Sequence, residues 1–178
     1  MQRREYGGAV EGALGLGLLK FGSIGLVLWL SGRAVQRGWV RVNYTRKLNH
    51  FVLFGWQFGL REAFALTGLE RLRVLDALLT VVGLTALFVH PIRSRVPFVA
   101  TMFAAYDRPE DRPWSLHWIS LQLVLTLLVL LPLTVYFNGT GHREATVMLL
   151  LINGIGDGLA EPVGVRFGRH RWRRSDAT

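Results

Sequence analysis

One long stretch of this chain, between Arg112 and His142, contains no Asp, Glu, Lys or Arg, and its centre reads LQLVLTLLVLLPLTVYF. A helix that crosses a bilayer needs about 20 mostly apolar residues, because the hydrocarbon core is about 30 Å thick. The stretch exceeds that length. Pro132 lies inside it, and a proline is tolerated in a membrane helix because neighbouring groups can satisfy the freed carbonyl. The stretch therefore predicts a membrane-spanning helix.

Four more apolar segments are long enough to span, or nearly so: Leu14–Gly32, Phe51–Gly68, Val74–Ile92 and Ala145–Gly156. The first is interrupted by Lys20, and the third contains Asp76 near one end. The second contains Arg61 and Glu62 in its middle, so it is either a polar-lined spanning helix or a partly interfacial one. The fourth reaches spanning length only if the helix continues as far as Leu159.

The composition supports a membrane protein. Hydrophobic residues make up 51% of the 178 residues, the mean hydropathy is +0.30, and the formal net charge is +9. Apolar runs separated by basic clusters are typical of multi-pass membrane proteins rather than of nucleic-acid binders. The sequence contains no cysteine, which excludes disulfides, thiol catalysis and thiolate metal sites.

The basic loops predict an orientation, because loops rich in Lys and Arg stay on the cytoplasmic side. Three basic regions fall on one side if Phe51–Gly68 spans: Arg33–Lys47, Arg93–Arg112 and the tail after Gly164. The sequence therefore predicts an all-α fold, a multi-pass transmembrane bundle of about five spanning helices with its N-terminus outside. Residues 1–178 form a single membrane domain in this interpretation.

The first polar motif is RKLNH, at the start of the second apolar segment. On a helix, Arg46 and His50 lie four residues apart and Lys47 and His50 three apart, so all three share one face. Two cations and an imidazole are suited to binding phosphate. The alternative is a topogenic basic loop with an interfacial histidine, and the spacing alone favours that alternative.

The second motif is YDRPEDRP, where acids and arginines alternate between prolines and predict a stiff polar loop. Asp107, Glu110 and Asp111 could help to hold a divalent cation, while Arg108 or Arg112 could bind phosphate. A solvated loop whose charges neutralise one another is the interpretation that we favour slightly.

The third motif is NGIGDGLAEP. Asp157 and Glu161 are four residues apart and share a helical face, although Pro162 favours extended geometry at Glu161. Two carboxylates suit Mg²⁺, which takes oxygen ligands and often bridges to substrate phosphates. Three glycines allow close approach of the backbone: Gly154, Gly156 and Gly158. Glycine packing between helices, with Asp157 paired to an arginine, is an equally open alternative.

The segment GDGLAEPVGVRFGRHR resembles the G-D-G-x-A-(D/E)-x-x-G-x-x-(F/Y)-G-(K/R) segment of the CTP-dependent polyprenol kinases, a membrane family that includes phytol and dolichol kinases. It is more distantly similar to the corresponding segment of phosphatidate cytidylyltransferases. The matching residues are Gly156, Asp157, Gly158, Ala160, Glu161, Gly164, Phe167, Gly168 and Arg169. RKLNH resembles the R-K-x-x-H signature of the same kinases, matched by Arg46, Lys47 and His50.

The resemblance implies an integral membrane enzyme that transfers a phosphoryl group from CTP to a long-chain isoprenoid alcohol, with Mg²⁺ as cofactor and the active face in the cytoplasm. Its partners are then the alcohol, the nucleotide and the lipid bilayer, with no nucleic acid. Asp157 would bind Mg²⁺ or activate the alcohol, Glu161 would be a second metal carboxylate, and His50 would orient phosphates or shuttle a proton. The phosphate-binding residues would be Arg46, Lys47, Arg169, Gly156 and Gly158.

Two alternatives stay open. A CDP-lipid synthase like the phosphatidate cytidylyltransferases would use phosphatidic acid in place of the alcohol, although RKLNH favours the kinase. Both families usually continue with a lysine-serine and glutamate-glycine segment and further helices, which residues 1–178 do not contain. We therefore expect a domain that could lack a C-terminal helical portion, and the second alternative is a non-catalytic, truncated relative that acts as a membrane scaffold.

Overall fold

The computed structural model describes residues 2–67 and 72–168, and within those ranges the chain forms helices and no strand. In chain order the α-helices are α1 (Gln2–Gln36), α2 (Val42–Thr67), α3 (Leu72–Leu87), α4 (His90–Arg93), α5 (Pro97–Ala104), α6 (Ser115–Gly139), α7 (Arg143–Leu151) and α8 (Gly158–Phe167). A 3₁₀ turn, Pro109–Asp111, precedes α6, and a π-helical turn, Ile152–Asp157, joins α7 to α8. The all-α prediction is confirmed for these residues.

Two helices in the described ranges are long and apolar enough to cross a membrane, the part of α1 over Leu14–Gln36 and α6 over Ser115–Gly139. Only 22% of the most apolar window of the first and 6% of that of the second is buried inside the protein. The core helix of a soluble protein buries most of its apolar side chains, whereas a spanning helix exposes them to lipid. Both helices lie where the sequence predicts spans, and α6 contains Pro132.

Helix α3 is shorter than predicted. It has 16 residues, or about 24 Å at the usual helical rise, and it ends at Leu87 instead of continuing to Ile92. The reason is Pro91, which lies in the first turn of α4. A proline is tolerated in a first turn but interrupts a helix interior, because it lacks an N–H and its ring clashes with the preceding turn. The expectation of one continuous helix over Val74–Ile92 is therefore wrong at its C-terminal end.

Helix α2 begins well before the apolar segment that predicts it. Its first residue is Val42, so the RKLNH motif lies in its first turns rather than in a loop. The connection from α1 is short and turns at Gly38, whose φ of 69° lies in the region that favours glycine. The last residue of the predicted segment, Gly68, lies outside the described residues. The motif is consequently held by regular helix, which fixes the relative positions of its side chains.

The last apolar segment is longer than expected, because α7, the π turn and α8 follow one another without a break over residues 143–167. Glu161 lies within α8 despite Pro162, so the expectation of extended geometry there is wrong. Local π adjustments and neighbouring groups can satisfy the carbonyl that a proline leaves free, and the π turn ends directly before α8. The helical spacing of Asp157 and Glu161 is retained at the level of the backbone.

The buried core lies where α1, α3, α5 and the start of α6 meet. Its members are Ile24, Leu28, Leu84, Phe88, Val99, Met102, Phe103, Ala105 and Ile119. Gly32 of α1 allows the close approach of α5, because a Cβ there would overlap the carbonyl oxygen of Thr101. Helices α1 and α3 are also joined by an ion pair, since Lys20 Nζ lies 2.6 Å from Asp76 Oδ2. This core supports one side of α2 and leaves its first turns to face the π turn.

Candidate functional site

The site is formed where the first turns of α2 meet the π turn. Lys47 Nζ donates to the backbone oxygen of Asp157 at 3.1 Å and lies 3.5 Å from Asp157 Oδ2. His50 Nε2 lies 2.9 Å from the backbone oxygen of Asn153 and 3.8 Å from Asp157 Oδ2. The two motifs that the sequence singles out are separated by 110 residues between Lys47 and Asp157. The fold nevertheless brings them into direct contact.

The contacts of His50 determine which of its nitrogens carries hydrogen. A carbonyl oxygen only accepts hydrogen bonds, so Nε2 must donate to Asn153. In the neutral ring, Nδ1 is then the nitrogen that can accept a proton. The ring is also held by Phe54, whose centroid lies 4.6 Å away. His50 is therefore fixed in orientation by its own helix and by the π turn together.

Two of the glycines explain why the helices approach so closely. A Cβ on Gly158 would lie 2.5 Å from the ring of Phe51, and one on Gly154 would lie 3.1 Å from Phe54. Both glycines are buried, and they let the π turn rest against the aromatic face of α2. Gly156 is exposed, and a Cβ there would meet nothing nearer than 4.0 Å. Helix packing thus accounts for Gly154 and Gly158. The cation that contacts Asp157 is Lys47 rather than an arginine.

Arg46 is held by the polar loop before α6. Its guanidinium lies 3.0 Å from Asp111 Oδ2 and donates to Gln122 Oε1 at 3.2 Å. In the same loop, Arg112 lies 2.8 Å from Asp107 Oδ2. Asp107 is therefore neutralised within the loop, whereas Asp111 pairs with an arginine of α2. Asp111 thereby connects this loop to α2.

A partly open cavity of about 930 Å³ extends from these residues between α2, α3, α6 and α7. Its charged end is lined by Arg46, Lys47, His50, Arg108 and Asp157, together with Tyr106, Gln122 and Asn153. The wall between this end and Asn138 is largely leucine from α6. We call these two parts the charged end and the apolar channel. Mostly apolar walls with a few convergent polar groups are typical of ligand sites.

Tyr106 lies at the junction of the charged end and the core. Burial raises its pKa far above the ordinary value of 10.0, and the neighbouring Arg46 only partly opposes this shift. The ring packs against Phe88 at 6.3 Å between centroids. Because the folded pKa is raised, the hydroxyl stays neutral to a higher pH than that of a free tyrosine. Ionisation of Tyr106 is disfavoured only in the folded state. The stability of the fold is therefore unaffected below the pKa of the unfolded tyrosine and decreases as the pH rises from that value through the folded pKa.

The predicted site residues differ in how far the structure describes them. Arg46, Lys47, His50 and Asp157 come together at the charged end, and Gly156 and Gly158 lie in or beside the π turn. Glu161 is one turn beyond Asp157 in α8, but its side chain is outside the description, and Arg169 lies outside the described residues altogether. Among the side chains that are described, no three His, Asp or Glu residues form a cluster that could hold a metal ion by themselves.

Sequence reasoning missed three residues at the charged end: Tyr106, Gln122 and Asn153. Gln122 carried a usable signal, because it is an amide inside the long apolar helix α6, and a polar side chain in such a helix usually has a partner. Asn153 likewise closes an apolar run. Tyr106 carried none, since an aromatic residue beside a polar loop is ordinary.

Comparison with known proteins adds no assignment. Searches of protein-family models, curated proteins and solved structures give no match to this chain.

Proposed function

We propose that this protein is a membrane-embedded lipid kinase that transfers the γ-phosphoryl group of CTP to the hydroxyl of a long-chain isoprenoid alcohol. One observation carries the proposal: Lys47 and His50 contact the π turn at Asn153 and Asp157, at one end of a largely apolar cavity. These are the two segments that resemble polyprenol kinases. A charged end suits a nucleotide, and an apolar channel suits a prenyl tail.

The proposed enzyme is a bundle of about five spanning helices with its charged end on the cytoplasmic side. Two helices meet the spanning criterion, and α2, α3 and the run over residues 143–167 supply the other crossings in this proposal. The exposed apolar side chains of α3 include Leu75, Leu79 and Val82, as expected for contact with lipid. The arginines on either side of Trp39 and in the loop before α6 lie on the side of the charged end, and basic loops favour the cytoplasmic side of the membrane.

The proposed reaction follows from the groups at the charged end. The oxygen of the alcohol attacks the γ-phosphorus of CTP, the bond from that phosphorus to the β,γ-bridging oxygen breaks, and CDP leaves. Arg46 and Lys47 neutralise charge on the phosphate oxygens, which is the main requirement of phosphoryl transfer. The proton of the hydroxyl passes to His50 Nδ1 or to the carboxylate of Asp157. Transfer to His50 is consistent with a ring whose Nε2 already donates to Asn153.

The carboxylate of Asp157 also fits Mg²⁺ that arrives with the nucleotide. Its side chain is 63% exposed, and its contacts to Lys47 and His50 both involve Oδ2. Mg²⁺ is commonly held by one or two carboxylates together with substrate phosphates, and it keeps several waters. Asp157 would supply one of these carboxylates and Glu161 the other. The bound ion would reduce the negative charge of the phosphates.

The proposal is tested by replacing Asp157 with Asn, which keeps the side-chain volume and removes the charge. Purified protein in detergent is given Mg²⁺, γ-labelled CTP and geranylgeraniol, and label in the extracted lipid is measured. We expect the rate of transfer to fall on the order of 100-fold or more, as losses of single transition-state groups do. Glu144→Gln, an exposed acid at the other end of the fold, serves as the control and should retain activity. Transfer by Asp157→Asn at the wild-type rate would remove Asp157 from the mechanism.

A further inference from the structure

One stripe of α1 faces outward and ends in two arginines. Its members are Leu26, Leu30, Arg33 and Arg37, spaced by four, three and four residues, which places them on one side of a helix. The backbone N–H of Arg37 donates to the oxygen of Arg33 at 3.1 Å, so helical geometry extends to the second arginine. All four side chains are exposed, Leu26 by 55% and Leu30 by 52%. We call this set the outer stripe of α1.

The two arginines rest on aromatic rings and have no acidic partner. The guanidinium of Arg33 lies 5.8 Å from the ring centroid of Trp29, and that of Arg37 lies 4.8 Å from the ring centroid of Trp39. In the part of the chain that the structure describes, neither side chain forms an ion pair with a carboxylate. A guanidinium that stacks through its face keeps the N–H groups of its edge for the oxygens of a phosphate. Both positive charges of the stripe can therefore bind an external anion.

The stripe passes from the apolar part of a candidate span to its end. The part of α1 over Leu14–Gln36 is long and apolar enough to cross a membrane. In the proposed bundle, Leu26 and Leu30 therefore face the hydrocarbon, and the arginines lie at its boundary. Phe98 of α5 stacks on Trp29 at 6.1 Å between ring centroids and is 52% exposed, which widens the apolar surface. A phospholipid has the same order of chemistry, because its acyl chains lead to a phosphate at the membrane surface.

We propose that the outer stripe of α1 binds an anionic phospholipid, with its phosphate between Arg33 and Arg37 and an acyl chain along Leu30 and Leu26. An anionic headgroup fits better than a zwitterionic one, because two arginines without a carboxylate repel the cation of a choline headgroup. Each arginine near an anionic membrane surface adds a favourable electrostatic interaction. No described residue of α1 lines the cavity of the candidate site. Lipid binding at the stripe is therefore independent of the proposed kinase activity.

The test measures which lipid the protein retains. Purified protein is reconstituted into nanodiscs of phosphatidylcholine and phosphatidylglycerol, and the lipids that stay bound after transfer to detergent are counted by native mass spectrometry. We expect wild type to retain phosphatidylglycerol in preference to phosphatidylcholine. Arg33→Gln and Arg37→Gln should each lower that preference about fivefold, as loss of one arginine near an anionic surface does. Arg112→Gln removes an equal charge from a side chain that is paired with Asp107, and it should keep the wild-type preference.

Equal retention of the two lipids by wild type, or a loss for Arg112→Gln equal to that for Arg33→Gln, would overturn the inference. Displacement of the retained lipid by soluble glycerol 3-phosphate would overturn it too, because the acyl chain would then contribute nothing. Displacement by a single-stranded oligonucleotide would assign the arginines to nucleic acid instead. A second measurement locates the lipid: retained phosphatidylglycerol with a photoreactive group on its acyl chain should label α1 near Leu26 and Leu30. Labelling confined to other helices would contradict the site.

Discussion

The ion pair between α1 and α3 offers the sharpest test of the helix packing. Lys20 is fully buried, and its Nζ lies 2.6 Å from Asp76 Oδ2 and within hydrogen-bond distance of Thr80 Oγ1. The side chain of Asp76 is 16% exposed. Removal of one partner of a buried pair leaves an uncompensated charge and costs about 3–5 kcal/mol. We expect Asp76→Asn to lower the free energy of unfolding by an amount in this range.

Substitution of the cationic partner and a double variant complete a double-mutant cycle. Lys20→Met should cost less than Asp76→Asn, because the remaining carboxylate is partly solvated. The double variant Lys20→Met with Asp76→Asn should cost less than the sum of the two single variants, by about 1–3 kcal/mol, since neither charge is then left without its partner. The free energies are measured by denaturant titration in detergent micelles, followed by helical circular dichroism. Single variants that cost under about 1 kcal/mol, or a double variant whose cost is the sum of the two, would refute the buried contact.

Two further predictions concern the candidate site. Gly158→Val should destabilise the fold by about 1–3 kcal/mol through overpacking against Phe51 and should reduce phosphoryl transfer. Gly55→Ala, with open space around it, should do neither; thermal unfolding and label transfer check both variants, and equal effects would contradict the close approach at Gly158. Asp111→Asn should raise the KM for CTP about 5–30-fold, with a smaller change in kcat, because it releases the guanidinium that it orients. The exposed Glu110→Gln is the control in the same steady-state assay, and an unchanged KM for Asp111→Asn would deny it a positioning role.

Hydropathy and spacing were enough to predict some parts of the structure. An uncharged apolar run of this length predicted α6, because a helix satisfies all of its own backbone groups in lipid. Three polar residues at helical spacing predicted one face of α2. The end of α3 was missed although Pro91 gave the signal, because apolar content was given more weight than the break. The helical backbone at Glu161 was missed because the π turn before it depends on packing that a linear pattern does not contain.

The arrangement of the site depended on tertiary contacts. Nothing in the sequence indicates that Arg46 binds Asp111 and Gln122, since any of the acids in the polar loop was an equally good partner by composition. The contact between Lys47 and Asp157 was expected only through the resemblance, which implied that both motifs serve one site. The packing roles of Gly154 and Gly158 needed the positions of Phe51 and Phe54, which no local pattern specifies.

The proposed activity is the transfer of the terminal phosphoryl group of CTP to a lipid alcohol. The most direct measurement uses purified protein with Mg²⁺ and geranylgeraniol. CTP labelled at either the γ- or the α-phosphate is added, and the amount of label in the extracted lipid is measured. We expect that γ-label enters the lipid, that α-label does not, and that CDP is released in equal amount. Entry of α-label into lipid when phosphatidic acid replaces the alcohol, with release of pyrophosphate, would instead identify a CDP-lipid synthase. Failure of both labels to reach lipid with either acceptor, together with no binding of CTP, would contradict the proposed kinase activity.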